Sequence, residues 1–336
     1  MTKRKRTILF LTLLTTFFLM APTALLYTQG YRFDFETKRI SRTGGLFLKV
    51  WPRQAEVYID GKLKEKTDFL FGSVLVENLL PKKYRIEIKK EGFHSWIKDL
   101  EITEKQVTEA KNIVLFDKNF QPTILVQNIE EGRIDPEQKS LIYRKFSPSS
   151  PAWFSYNLEN GAETELSSNT EIAVEKKEEE YSLGNLKILK ENGILSVYNE
   201  ESQSFEKFFE PVKGSALSPD LKKLVYFSDH EIWIMFPGEN NKNSQERNGE
   251  KLFLLRLSEK IDDCLWLNND YLLFRSNNNI EVTEVDNRNG INIYNLMQLD
   301  TKKSTAEEIK LFFNKENDKL YVFEGDKLSS FSFILP

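Results

Sequence analysis

Side chains that could carry chemistry are few and far apart in this chain of 336 residues, which holds two histidines, His94 and His230, and one cysteine, Cys264. Structural zinc needs clustered Cys and His ligands, and the sequence has neither a Cys-x-x-Cys pair nor neighbouring histidines. A histidine-assisted serine hydrolase would show its nucleophile on a Gly-x-Ser-x-Gly elbow, but Gly72-Ser73 and Gly214-Ser215 lack the second glycine. No Gly-x-x-x-x-Gly-Lys-Ser/Thr loop and no Gly-x-Gly-x-x-Gly turn occurs to cradle a phosphate. Cys264 lies in Ile-Asp-Asp-Cys-Leu-Trp. A reactive thiol wants cations nearby; Asp262 and Asp263 adjoin this one, so it reads as a small buried hydrophobe. The turns Asn277–Asn279 and Asp286–Gly290 carry oxygens of the kind calcium uses, yet turn chemistry alone explains their composition. Carboxylate-pair catalysis stays open, because such pairs come from distant strands. No catalytic, cofactor-binding or metal-ligating residue is therefore assigned, and no cofactor is expected.

The elements that would position any site follow from composition and pattern. The chain is long for one domain, so two folded units are expected. Its 25 Phe, 12 Tyr and 5 Trp against only 15 Gly and 11 Pro favour a β-rich interior packed with aromatic rings. Setting aside Lys3–Arg6, the rest carries 43 basic against 51 acidic residues, a formal −8. A body of that sign has no bulk attraction for phosphate backbones, so no nucleic-acid partner is expected. The run Glu175–Glu180 reads as a solvated face, and the polar stretch Glu239–Glu250 as a hairpin tip.

Residues 1–6 form a basic tail, and Thr7–Thr28 follows without a charge, long enough for a helix across a ~30 Å hydrocarbon layer. Cations ahead of it hold the N-terminus in the cytoplasm and place the bulk of the chain outside. The rival is a cleaved signal peptide with Ile8–Met20 as its apolar stretch; the small-x-small cut site is poor, since Pro22 stands two before Ala24. The leading expectation is a single-pass cell-membrane anchor through Thr7–Thr28.

Residues 29–43 read as a polar, turn-rich linker. From 44 to 117 the pattern alternates with period two, as half-buried strands require. Tyr84, Ile86 and Ile88 alternate with Arg85, Glu87 and Lys89, and Asp60-Gly61 supplies the positive-φ pair of a two-residue hairpin. The result is a small antiparallel sandwich. Its residues resemble the PEGA domain: Pro52 and Ala55, Val57–Gly61, Thr67, Leu79–Tyr84 and Gly92–Trp96 match that family's spaced elements in order. Gln54 stands where the motif has glycine, implying a turn without positive φ. Lys82-Lys83 replaces the glycine before the tyrosine, implying a looser start to that strand. The resemblance implies a surface-associated β-sandwich and no reaction.

Residues 118–336 repeat. Apolar cores begin at Leu141, Leu186, Leu224, Leu272 and Leu320, at intervals of 38 to 48 residues, each preceded by a turn and followed by a second strand. The third copy, Ser215–Met235, is the strongest; its Ser-Pro-Asp-x-Lys-Lys-Leu-Val-Tyr-x-Ser and Ile-Trp-Ile resemble TolB-like and WD-repeat-like β-propellers. Five blades are expected, or six if Glu163–Glu180 hides another. The last copy lacks a fourth strand, and Thr123–Gln127 is expected to supply it, closing the ring.

Together these features describe a mainly β, non-enzymatic cell-envelope protein. A transmembrane helix, a PEGA-like sandwich and a propeller present a surface to an envelope protein or a surface glycan, the latter through exposed aromatics among Trp153, Trp233 and Trp266. The competing expectation is a propeller-type hydrolase or lyase acting on cell-wall polysaccharide, which would converge carboxylates at one mouth of the channel.

Overall fold

The computed structural model describes residues 3–135, 140–145, 152–166, 178–237, 250–299 and 309–335. They fall into two units: one runs up to Leu115 and takes in Arg288–Gly290, and the other comprises Phe116–Asn287 and Ile291–Leu335.

The first unit opens with the helix Lys3–Thr28, which absorbs the basic cluster as well as the apolar run and buries none of its residues. Its 26 residues span ~39 Å at the usual rise. Its threonines do not spoil an apolar surface, because each hydroxyl is satisfied within the helix: Thr12 Oγ1 donates to Ile8 O at 2.9 Å, Thr16 to Thr12 O at 2.8 Å and Thr23 to Leu19 O at 2.7 Å. Gly30, at φ +81°, ends the helix in the left-handed conformation that favours glycine.

The expected linker is partly structured. Tyr31–Asp34 and Arg39–Arg42 pair as an antiparallel hairpin in which Phe33 faces Ile40. Polarity hid it, since its turn is built by a side chain: Asp34 accepts hydrogen bonds from Glu36 N at 2.9 Å and Thr37 Oγ1 at 2.7 Å.

Seven strands then form two sheets. One orders Ser73–Leu79, Gly44–Trp51 and Val107–Val114; the other orders Lys62–Lys66, Glu56–Ile59, Lys83–Lys89 and Trp96–Glu101. Their inward faces share one core containing Leu46, Leu48, Val57, Ile86, Ile88, Trp96 and Leu100. The sandwich is not wholly antiparallel. Val107–Val114 runs parallel to Gly44–Trp51, because the chain crosses the opposite sheet before returning, and short-range patterning carries no information about that return. Asp60 and Gly61 both take positive φ, at 49° and 73°, as the hairpin demands. The expectation for Gln54 is overturned: it sits at φ 59°, so the turn keeps its left-handed residue and a glutamine bears the strain. Lys83 opens its strand in register with Glu101. Ala55 and Thr67 clamp each other: Ala55 N donates to Thr67 Oγ1 and Thr67 N to Ala55 O, both at 2.9 Å.

The second unit contains five four-stranded antiparallel sheets among the described residues. The first holds Ile129–Asp135, Ser140–Lys145, Ala152–Asn157 and Glu163–Glu165; the second Glu178–Leu183, Leu186–Glu191, Ile194–Asn199 and Ser204–Phe209. The third holds Gly214–Leu217, Leu224–Phe227, Glu231–Met235 and Lys251–Arg256; the fourth Ile261–Trp266, Tyr271–Ser276, Asn279–Glu284 and Ile293–Gln298. The fifth takes Lys310–Asn314, Lys319–Glu324 and Lys327–Ser332, with Thr123–Gln127 laid antiparallel on the last of these. All five expected cores are second strands of these sheets, and Leu224–Phe227 and Tyr271–Ser276 are buried throughout, as strands covered on both faces must be. Residues 167–177, where a further blade was weighed, lie outside the described residues.

From the second sheet to the fifth, leading strands are bonded to one another. Tyr181 Oη reaches Ser215 O at 3.1 Å from the second sheet to the third, and Trp266 Nε1 donates to Ala216 O at 2.9 Å from the fourth to the third. The Leu311 N–H of the fifth donates to the Asp263 carboxyl of the fourth. The first and fifth sheets share a core of Leu141, Tyr143, Tyr321, Phe323, Leu328 and Val126. Gly132 is needed there because a Cβ would stand 2.4 Å from Phe323 Cδ1. Gly132→Ala is therefore expected to lower stability by about 1–3 kcal/mol. Urea unfolding would show this, and Phe323→Leu in the same chain should recover part of the loss.

Candidate functional site

Where the sequence left a carboxylate pair open, the structure supplies an adjacent one in the fourth sheet. A β-bulge between Ile261 and Asp263 shifts the register, leaving Asp262 as the extra residue and setting Asp263 opposite Arg275. Both acids consequently lie near one guanidinium, which a regular strand with alternating faces would not allow. Arg275 Nη1 donates to Asp262 Oδ2 at 2.9 Å, and Lys213 Nζ, from just before the third sheet, reaches Asp262 Oδ1 at 3.1 Å and Ile261 O at 2.7 Å. Asp229 stands 3.5 Å from the same lysine. Burial pushes the Asp263 carboxyl up to about 6, against the pull of the Cys264 N–H and Arg275. In this arrangement Asp262 is saturated by two cations and Asp263 accepts backbone N–H groups, so the pair works as a clamp between sheets.

A second place was not singled out in the sequence. Asp68 holds the loop Asp68–Ser73 with both carboxylate oxygens: Oδ1 accepts Leu70 N at 2.8 Å and Phe71 N at 2.6 Å, and Oδ2 accepts Ser73 N at 2.7 Å and Ser73 Oγ at 2.6 Å. The Ser73 hydroxyl and Phe71 N–H bonds hold this carboxyl well below the usual range. Gly72, at φ +69°, fits because a Cβ would meet Val50 O at 2.3 Å. The loop thus projects Phe69, Leu70 and Phe71, which remain 68%, 58% and 70% exposed. Three consecutive apolar side chains on a hydrogen-bonded turn were the available signal.

The residues weighed from sequence are dispersed. His94 is half-buried in the sandwich, and His230 lies in a third-sheet hairpin with Nδ1 3.1 Å from Glu259 O. Ser73 is held by Asp68 and Ser215 Oγ lies 3.0 Å from Tyr181 Oη, so neither serine meets a histidine among the contacts shown. Cys264 is buried, which pushes its thiol well up. Asn277–Asn279 forms the turn between Tyr271–Ser276 and Asn279–Glu284, with Asn277 at φ 50°. Among the described residues no group of three or more His, Cys, Asp or Glu is placed to hold a metal. Trp266 is core, Trp233 is half-buried against Phe253, and Trp153 is half-buried near the Arg133 and Arg144 guanidinium groups, each 5.8 Å from its ring. Glu178–Glu180 opens the second sheet; residues 175–177 and 239–249 lie outside the described residues.

The class defined by these observations is a mainly β protein with one N-terminal apolar helix long enough to cross a membrane. No family model and no curated protein matches the chain. Among solved structures it is similar to Kluyveromyces lactis Hsv2, at 9% identity over 83% of this chain and 71% of that one, with a TM-score of 0.31. It is also similar to the extracellular domain of the putative one component system BT4673 from B. thetaiotaomicron, at 11% identity, covering 74% of this chain and 36% of that one, with a TM-score of 0.33.

Proposed function

We propose that this chain is a single-pass, membrane-anchored envelope protein without catalytic activity. In this reading a PEGA-like sandwich stands at the outer membrane surface and a five-bladed propeller follows it, together forming a platform for another protein. The ring is supported by the shared core of the first and fifth sheets and by the bonds joining the leading strands of the second, third and fourth sheets. A membrane anchor is supported by the apolar helix Lys3–Thr28, which is long enough to cross a bilayer and buries none of its residues.

One observation carries the choice of partner: the Asp68-braced loop shows Phe69, Leu70 and Phe71 to solvent in a fixed conformation. Rigid exposed aromatics are the usual anchors of protein interfaces, since little entropy is lost when they are covered. Sugar rings would stack on open indole faces, and none of Trp51, Trp96, Trp153, Trp233 and Trp266 is exposed. Asp262 and Asp263 are engaged by Arg275, Lys213 and backbone groups, which favours binding over polysaccharide cleavage.

A photo-crosslinking residue placed at Leu70 in intact cells should give one discrete protein adduct. With Phe69→Ser and Phe71→Ser together, affinity for that partner should fall at least about thirtyfold, a loss of ~2 kcal/mol. Saturable binding of cell-wall saccharide with no adduct at Leu70 would overturn the protein-binding reading. A C-terminus protected from protease in spheroplasts would overturn the outside location.

A further inference from the structure

We infer that the hairpin Tyr31–Arg42 is a second membrane contact, seated on the outer headgroup layer and fixing how the sandwich stands on the bilayer. The inference rests on the anchor reading and goes beyond it. Only Gln29 and Gly30 separate the helix from the hairpin, and Gly30 N still bonds to Tyr27 O at 3.2 Å. Strands of four residues extend ~13 Å, so no part of the hairpin can leave the neighbourhood of the helix end.

Its position there is braced. Arg32 lies 3.5 Å over the Tyr27 ring, donates to Tyr27 O at 2.7 Å, and reaches Asn78 Oδ1 of the sandwich at 2.9 Å. The Glu36–Lys82 ion pair ties the turn to the same body, and Thr43 N bonds back to Gly30 O at 2.9 Å.

Alternation across the strands separates two faces. Arg32, Asp34 and Ser41 share the face that carries the Arg32 bond to the sandwich, and they are half-buried. Phe33 and Ile40 pair on the opposite face, Phe35 packs edge-on against Phe33 at 5.1 Å, and Phe35 is 84% exposed. Arg42 shares the Phe33 and Ile40 face and Lys38 lies in the turn, whereas Arg32 and Arg39 lie on the other face; along the segment four cations stand against the two acids Asp34 and Glu36. Aromatic side chains beside cations, next to a spanning helix, match the headgroup layer of a bilayer containing anionic phospholipid. Continuity with the helix favours lipid over a soluble partner.

The test uses the full chain in nanodiscs of phosphatidylethanolamine and phosphatidylglycerol. Cys264 is the only native cysteine and is buried, so nitroxides can be placed singly at Phe35→Cys, Leu14→Cys and Glu91→Cys. Power-saturation spectroscopy then compares access of oxygen and of a nickel chelate. Leu14 should report the acyl region, Glu91 water, and Phe35 loss of nickel access at a depth of roughly 5–10 Å into the headgroup and acyl boundary. Phe35 reading like Glu91 while Leu14 is lipid-embedded would overturn the hairpin contact alone. Leu14 reading as water would overturn the anchor on which it rests. Dipolar broadening at Phe35 that vanishes on dilution with unlabelled protein would show a second copy covering the face, and would also overturn the inference.

Discussion

Deleting Phe120–Asn128 unlatches the fifth sheet and leaves the fourth intact. Thr123–Gln127 pairs with Lys327–Ser332 from Thr123 opposite Ser330 to Gln127 opposite Lys327. Its Val126 is buried in the core joining the fifth sheet to the first. Removing that side chain alone costs about 1.5–3 kcal/mol, and each lost strand hydrogen bond adds ~1 kcal/mol. The deletion also uncovers an edge at Leu328–Phe331, which is buried in the intact chain. A loss of about 4–6 kcal/mol follows, and hydrogen exchange locates it. Amides of Lys319–Glu324 and Lys327–Ser332 should exchange early, while those of Tyr271–Ser276 keep their protection. Equal protection of the fifth sheet with and without the segment would refute the latch.

Arg275→Met is expected to cost about 3–5 kcal/mol near neutral pH, because it removes the buried guanidinium beside Asp263 and one of the two cations that hold Asp262. The Arg275 side chain is 4% exposed, so water replaces little of what the substitution removes. Its effect should depend on pH in a definite direction. The Asp263 carboxyl titrates near 6 in the folded protein against 3.8 when unperturbed. Between those values the folded chain holds a proton that the unfolded chain has released, so stability falls as pH rises through this window. That decline amounts to roughly 1–3 kcal/mol for this group, with Arg275 and Asp262 as the charges acting on it. Arg275→Met should therefore be milder at pH 5 than at pH 7.5. Asp263→Asn should flatten the decline in the native background. Denaturant titrations at both pH values decide the matter, and an Arg275→Met penalty that is equal at the two would mean Asp263 stays ionised throughout.

The repeat was legible because its second strands are covered on both faces. Leu224–Phe227 and Tyr271–Ser276 announce themselves as unbroken apolar runs. The leading strands were harder to see: Gly214–Leu217 is half-buried throughout and Ile261–Trp266 mixes acids with apolar residues, so neither reads as an unbroken apolar run. The hairpin at Tyr31–Arg42 escaped notice because Asp34 builds its turn, and composition alone made the segment look like linker. Gln54 misled for a related reason. The residue type argued against a left-handed turn, but the surrounding sandwich imposes one at φ 59°.

Local covalent preference and burial pattern were enough to determine the helix, the Asp60-Gly61 hairpin and the strand cores, because each depends on residues within one short window; the place of Thr123–Gln127 beside Lys327–Ser332 followed instead from counting strands across the repeats. Tertiary structure alone decided the bulge that turns Asp262 and Asp263 toward Arg275, the parallel return of Val107–Val114 and the packing of Gly132 on Phe323. It also decided the exposure of Phe35 and Phe71. Those outcomes are set by partners tens to hundreds of residues away or by what fails to cover a side chain, and neither is written in the spacing of neighbours.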